Sequence, residues 1–278
     1  ILITTFFTSC INKKETSSNY QQEITEMKQI LENSALSAEA KYGIINKIAT
    51  TLLQHEQHTQ LIVYLTDWIH KNPSDQFNAY WLLMVAHSYM KTNSEPMAEF
   101  YFERIIKNYK DLEIQGQSIH FLCLENLIKI NKNPTSRIKY FNQLINRFPS
   151  RVSITEMYVR LAREYETIGE WKKALRTYKM FLDQPDSASI QISDIPDAYN
   201  YAKNLIDFND SPKNWTFKTL PALEKAIKDA IFRYQPKKLD TYRSKVNFFA
   251  VSWKQDENAT SGQVDFSMAN YMHGNRIS

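Results

Sequence analysis

Cysteine, glycine and net charge are all scarce in this 278-residue sequence, and each scarcity removes a class of protein. The two cysteines, Cys10 and Cys123, are too few for a disulfide-stapled scaffold. Five glycines and nine prolines argue against a turn-rich all-β fold. A formal net charge of +4 gives no basis for a nucleic-acid surface or a trap for acidic ligands. No stretch reaches the run of about eighteen apolar residues that spans a membrane. The sequence holds no CxxC pair, no glycine-rich phosphate loop and no GxSxG elbow. No cofactor, metal ligand or catalytic residue is therefore expected. What is plentiful is aromatic and aliphatic material: sixteen Tyr, fifteen Phe and 43% hydrophobic residues against 23% charged. That composition suits a helical protein with aromatic cores.

The most informative stretch is Thr155–Ala188. Tyr158, Leu161, Ala162 and Tyr165 form one apolar stripe, and Ala174, Leu175, Tyr178, Phe181 and Leu182 form a second. Both follow the 3.6-residue period of a helix that buries one face. Gly169 lies between them, where a left-handed residue can end the first helix, and Pro185 follows the second. The small Ala162 and Ala174 mark a close helix crossing. These residues resemble a tetratricopeptide (TPR) unit, a helical hairpin of about 34 residues. Phe181 stands where the family usually has a small residue, and Pro185 comes one position early.

The same ruler finds three degenerate copies upstream. Tyr42–Asp75 has Ile45, Ile48, Ala49 and Leu52, then Leu61, Leu65 and Pro73. Ala79–Leu112 has Leu82, Val85, Ala86 and Tyr89, then Ala98 and Phe102. Ser118–Arg151 has Phe121, Leu124 and Ile128, then Phe141, Leu144 and Pro149, but Glu125 and Arg137 occupy its two small positions. Extra residues such as Glu113–Gln117 lengthen the spacing between copies. A single hairpin cannot bury both faces, so the copies must stack. Pro196–Phe208 and Leu220–Tyr234 read as a closing hairpin without the TPR pattern. The expectation is an all-α, TPR-like right-handed α-solenoid over residues 23–234, opened by an amphipathic helix at Glu23–Asn33. A β-hairpin-like extension is expected over 237–278, with strands at Lys245–Trp253 and Gln263–Tyr271. The chain ends without a stop signal, so the natural protein is expected to continue, with this extension as the start of another domain; the competing reading is an irregular extended tail docked on the solenoid.

At the other end, Ile1–Ser9 is apolar and uncharged, and it closes on Thr8-Ser9-Cys10. This resembles the end of a bacterial lipoprotein signal peptide, although Phe7 stands where that motif prefers Leu. The resemblance implies that Cys10 carries the lipid and that the polar residues 11–22 are a flexible tether. The competing reading is a short apolar terminus or the tail of a membrane-spanning helix.

His55-Glu56-Gln57-His58 lacks metal-site spacing and falls in the first inter-helix turn, where a solvated turn is expected. The sequons at Asn214 and Asn258 are read as chance. The TPR resemblance implies instead a concave groove lined by the first helix of each unit: Asn46 and Thr50; Tyr80, Leu83, His87 and Lys91; Leu122, Asn126 and Lys129; Glu156, Arg163 and Glu166. The Lys-Asn clamp of chaperone-binding TPRs is missing, since Asn46, Thr50 and His87 hold three of its positions. Mixed aromatic and polar lining favours an extended peptide or a partner helix, with contact centred on Ala79–Arg151. Together these resemblances imply a non-enzymatic, lipid-anchored adaptor of the bacterial envelope that binds a protein or peptide and no nucleic acid. The whole layout also resembles the TPR lipoproteins of the outer-membrane β-barrel assembly machinery. A solute-binding or transporter-associated lipoprotein, and the TPR module of an enzyme whose catalytic domain follows residue 237, are the alternatives.

Overall fold

The computed structural model describes residues 6–33, 35–242, 269, 272 and 273, with backbone alone for 6–18. Two compact units divide the chain after Glu170.

In the first unit the helices are α1 (Phe6–Leu31), α2 (Ala38–Gln54), α3 (His58–Lys71), α4 (Asn78–Lys91), α5 (Glu95–Asn108), α6 (Ile119–Ile130), α7 (Pro134–Arg147) and α8 (Ile154–Thr167). Each packs on its neighbours in sequence, as in an α-solenoid, and α6 also reaches α4. The expected all-α stacking is what this unit has. One continuous core runs from Ile24 to Leu144, with Trp81, Phe102 and Tyr140 among its buried aromatics. Burying such a side chain contributes about 1.5–3 kcal/mol.

Local chemistry sets the hairpins. Three residues separate α2 from α3 and α4 from α5, and three follow α8. In each connection the second residue is left-handed: Glu56 (φ 55°), Asn93 (φ 57°) and Gly169 (φ 73°). The amides of Gln57, Ser94 and Glu170 then reach back to the carbonyls of Leu52, Tyr89 and Tyr165 at 2.8, 2.8 and 2.9 Å. This 6→1 bond satisfies helix-end carbonyls that would otherwise be orphaned. The α6–α7 connection differs. Pro134 opens α7 and disfavours helical backbone at Asn133, so Asn131 and Asn133 are extended. The Asn133 side chain instead caps the amides of Thr135 and Ser136.

Polar joints link the hairpins. Asp75 Oδ2 accepts from the indoles of Trp68 (2.8 Å) and Trp81 (3.1 Å), and its Oδ1 accepts from the Phe77 amide (2.9 Å). The extra residues after α5 form a small hairpin, β1 (Glu113–Ile114) against antiparallel β2 (Gln117–Ser118). Gln115 (φ 50°) and Gly116 (φ 75°) turn it, the two left-handed positions of a type I′ turn. Beside it, Asp111 accepts from the Ser118 hydroxyl (2.6 Å) and the His120 amide (3.0 Å), fixing the start of α6. His120 is buried; its Nε2 donates to the Tyr109 carbonyl at 3.1 Å, which leaves Nδ1 to accept from Arg147 Nη2. Cys123 is fully buried as a small apolar side chain.

Two N-terminal details differ from the sequence reading. Helix α2 starts four residues before Tyr42 because Ser37 caps it, accepting from the Ala40 amide. Helix α1 continues through residues 11–22, where a tether was expected; no Pro or Gly interrupts it.

The second unit contains α9 (Trp171–Leu182), α10 (Ala198–Asp210), α11 (Leu220–Phe232) and α12 (Pro236–Tyr242). Helices α9 and α10 pack together, with Tyr178 edge-on to Tyr201 and a Lys179–Asp210 ion pair at 3.0 Å. Ala230, Leu239 and Met272 form a small cluster under α11 and α12. Residues 237–242, assigned to the β-rich extension from sequence, are helical, as is Ala269. The rest of the two expected strands lies outside the described residues.

Two predictions follow from these joints. Asp75→Ala strands two indole donors, one of them fully buried on Trp81, and should lower the urea-unfolding free energy by about 2–4 kcal/mol. Asp75→Asn, which keeps an acceptor oxygen, should cost less. Burial holds the His120 ring below its ordinary value of 6.5, with Arg147 acting in the same sense and Asp111 against it. The folded protein therefore binds fewer protons than the unfolded chain just below pH 6.5, so stability falls as pH drops. His87 is shifted in the same direction, by burial first and the Lys91 charge second. The unfolding midpoint should decline between pH 7.5 and 5.5, and His120→Gln should flatten that decline.

Candidate functional site

The residues implied to line the groove sit on α2, α4, α6 and α8, yet the fold treats them unequally. Tyr80 and Asn46 come together: the Tyr80 hydroxyl donates to Asn46 Oδ1 at 3.2 Å, and its ring lies 6.0 Å from Tyr42 and 5.1 Å from Trp81. Burial, and then Tyr42, raise the Tyr80 phenol. The Thr50 hydroxyl turns back to the Asn46 carbonyl at 2.8 Å. Leu83 is only 5% exposed and belongs to the core, so little of it remains for a partner to touch. His87 lies edge-on to Phe102 at 5.6 Å, against the second helix of its own hairpin. Lys91 ends α4 and is exposed.

On α6, Leu122 packs against the core and the Asn126 amide donates to the Leu122 carbonyl at 2.7 Å. Of the implied set, Lys129 lines an open pocket. On α8, Glu156 accepts from Arg160 Nε at 2.7 Å, Glu166 is half-buried, and Arg163 is exposed with no ion pair among the described residues. Cys10 falls within α1, where only the backbone is described.

The pocket at Lys129 has a volume of about 270 Å³. Helix α6 contributes Glu125, Ile128 and Lys129; α7 contributes Arg137, Phe141 and Leu144; Val152 and the α8 residues Met157 and Arg160 complete it. Its floor is apolar and its rim charged. It opens where the third hairpin departs from the repeat. The second hairpin has Ala86 and Ala98 at its two small positions, both fully buried. The third has Glu125 and Arg137 there, and neither charge can be buried without a partner. Arg137 bonds Glu164 Oε1 (2.7 Å) and the Ile128 carbonyl (2.8 Å), and lies over the Phe141 ring. Glu125 remains at the rim, where burial raises its carboxyl. Two of the four rim charges, Arg137 and Arg160, are thus paired within the protein, Glu125 and Lys129 of opposite sign stand at the entrance, and apolar surface lies between them: an arrangement that suits an uncharged side chain carried on a polar backbone.

Sequence reasoning missed Glu125, Ile128, Met157 and Arg160 because the groove rule counts set positions on first helices only. The usable signal was the pair of oversized residues at the small positions. The His55–His58 segment forms the first turn, with His55 stacked on Tyr20 at 3.9 Å. Among the described residues no group of three or more His, Cys, Asp or Glu is placed to hold a metal ion, and no helix is long and apolar enough to cross a membrane. No protein-family model matches this chain, and a search of curated proteins gives no significant match.

Proposed function

We propose that this chain is a TPR-type scaffold that binds a protein or peptide partner and takes an apolar side chain of that partner into the α6–α8 pocket. The observation that carries the reading is the half-buried apolar surface of Ile128, Val152 and Met157, opened at the two positions where the repeat loses its alanines. Lys129 and Glu125 flank the entrance and orient a polar backbone passing over it. Tyr80 and Asn46, joined by their hydrogen bond, supply a second polar contact on the helices upstream. The reading is of an adaptor and not an enzyme.

Filling the pocket tests it. Met157→Trp should weaken capture of the natural partner from envelope extracts by roughly tenfold, the loss of about 1.4 kcal/mol, while the unfolding midpoint holds. Unchanged capture would remove the pocket from the binding surface.

The adaptor is proposed to sit in a bacterial envelope, anchored through a lipid on Cys10. The support is the apolar, uncharged run that closes on Thr8-Ser9-Cys10. Metabolic labelling with an alkyne palmitate should mark the full-length product and not its Cys10→Ala variant. Equal labelling of both would sink the anchor.

A further inference from the structure

A second pocket, of about 330 Å³, lies on the other helices of the first two hairpins. Thr66, Ile69 and His70 of α3, Pro73, Leu82 of α4, Tyr101 and Arg104 of α5, and Tyr109 line it. No lining residue is acidic. Its charged member is unusual in its surroundings. The other half-buried arginines of this unit each have a partner, Arg137 with Glu164 and Arg160 with Glu156, and even the exposed Arg151 pairs with Glu113. Arg104 is half-buried and makes no hydrogen bond or ion pair among the described residues. It faces Tyr101: burial and Tyr89 raise that phenol, and the Arg104 charge opposes them. Tyr101 is itself held by stacking on Tyr89 at 5.5 Å, so one wall is fixed in place.

A partly desolvated guanidinium with no partner among the described residues favours a planar anion that accepts from both arms of its fork. The remaining walls are mixed: Thr66 and His70 are polar, Tyr101 and Tyr109 phenolic, and Ile69, Pro73 and Leu82 apolar. The space equals roughly ten waters' share of liquid volume, far more than an inorganic ion needs. We propose that this pocket binds a carboxylate joined to an apolar body, with Arg104 gripping the carboxylate and Pro73, Tyr101 and Tyr109 holding the body. A free aryl or alkyl acid and the C-terminal residue of a peptide share that chemistry. The site is separate from the α6–α8 pocket and does not rest on its assignment.

The test is calorimetric titration of the full chain with four probes: benzoate, benzamide, inorganic phosphate and a tetrapeptide ending in phenylalanine, the last with free and amidated C-termini. Benzoate, the free-acid peptide or both should bind with dissociation constants below about 10 mM, while benzamide, phosphate and the amidated peptide bind at least roughly tenfold more weakly. Arg104→Gln should cost the same roughly tenfold and keep its fold, since no internal contact is lost; Arg104→Lys, which keeps the charge without the fork, should fall between. Binding by benzoate alone identifies a small acid, and binding by the peptide alone identifies a chain terminus; either result supports the site. The proposal is overturned if no acid binds, if benzamide or phosphate binds as well as benzoate, or if Arg104→Gln binds like the parent. Met157→Trp, which blocks the other pocket, should leave these titrations unchanged, so the two assignments fail separately.

Discussion

A helical hairpin whose two members cross at alanine has one apolar face left over, and the chain is built around covering it. Ala49, Ala86 and Ala98 are fully buried in the first unit. They let the helices approach closely, and the larger residues of the same helices then project toward the next pair. Leu82, Phe102, Leu124 and Tyr140 are buried in one continuous core because each hairpin is covered by its neighbour. Stability in such an array is shared between adjacent units, so the connections that set their registration matter as much as the apolar contacts.

Those connections are polar, and they are made both in the loops and between helices. Asp75 holds an indole from the helix before it and one from the helix after it. Asp111 ties the end of the β1–β2 excursion to the start of α6. Tyr140 donates to Glu103 at 2.7 Å, and Asn131 donates to Glu99, both reaching back to α5. Directional bonds of this kind specify how one hairpin seats on the next, which apolar contact alone does not. They also explain how the spacing between copies can vary. The longer, ten-residue connection between α5 and α6 is tolerated because the little hairpin pairs with itself and hands α6 a fixed starting point.

The hairpins were legible in the sequence because apolar period and small residues are local features. The four first helices begin at Ala38, Asn78, Ile119 and Ile154, close to the expected starts at 42, 79, 118 and 155. Boundaries set by caps were less legible. Ser37 extends α2 because a side-chain oxygen on a polar residue decides the start, and no periodicity reveals that. The left-handed turns were visible only at Gly169; Glu56 and Asn93 adopt the same conformation without the residue that advertises it. Helix α12 was hidden behind a proline that reads as a stop and acts here as the first residue of a helix. The candidate site was half legible. Glu125 and Arg137 stood out as misfits, but the groove rule looked only at first helices. The pocket they open is walled by α7 and α8, and that depends on how three helices pack.

The two pockets of the first unit differ in how their charges are balanced, and that difference decides what each can hold. At the α6–α8 pocket, Arg137 and Arg160 are already neutralised by Glu164 and Glu156. A charged ligand there would have to displace a bonded carboxylate and leave it stranded, a cost that a protein ion pair rarely repays. An uncharged side chain meets no such penalty. Around Arg104 the balance is reversed: the cation is partly removed from water and has no hydrogen bond or ion pair among the described residues, so an anion there would displace no described carboxylate. The two pockets of the first unit therefore differ in electrostatics: the arginines of one are paired with carboxylates, and the arginine of the other has no such pair among the described residues.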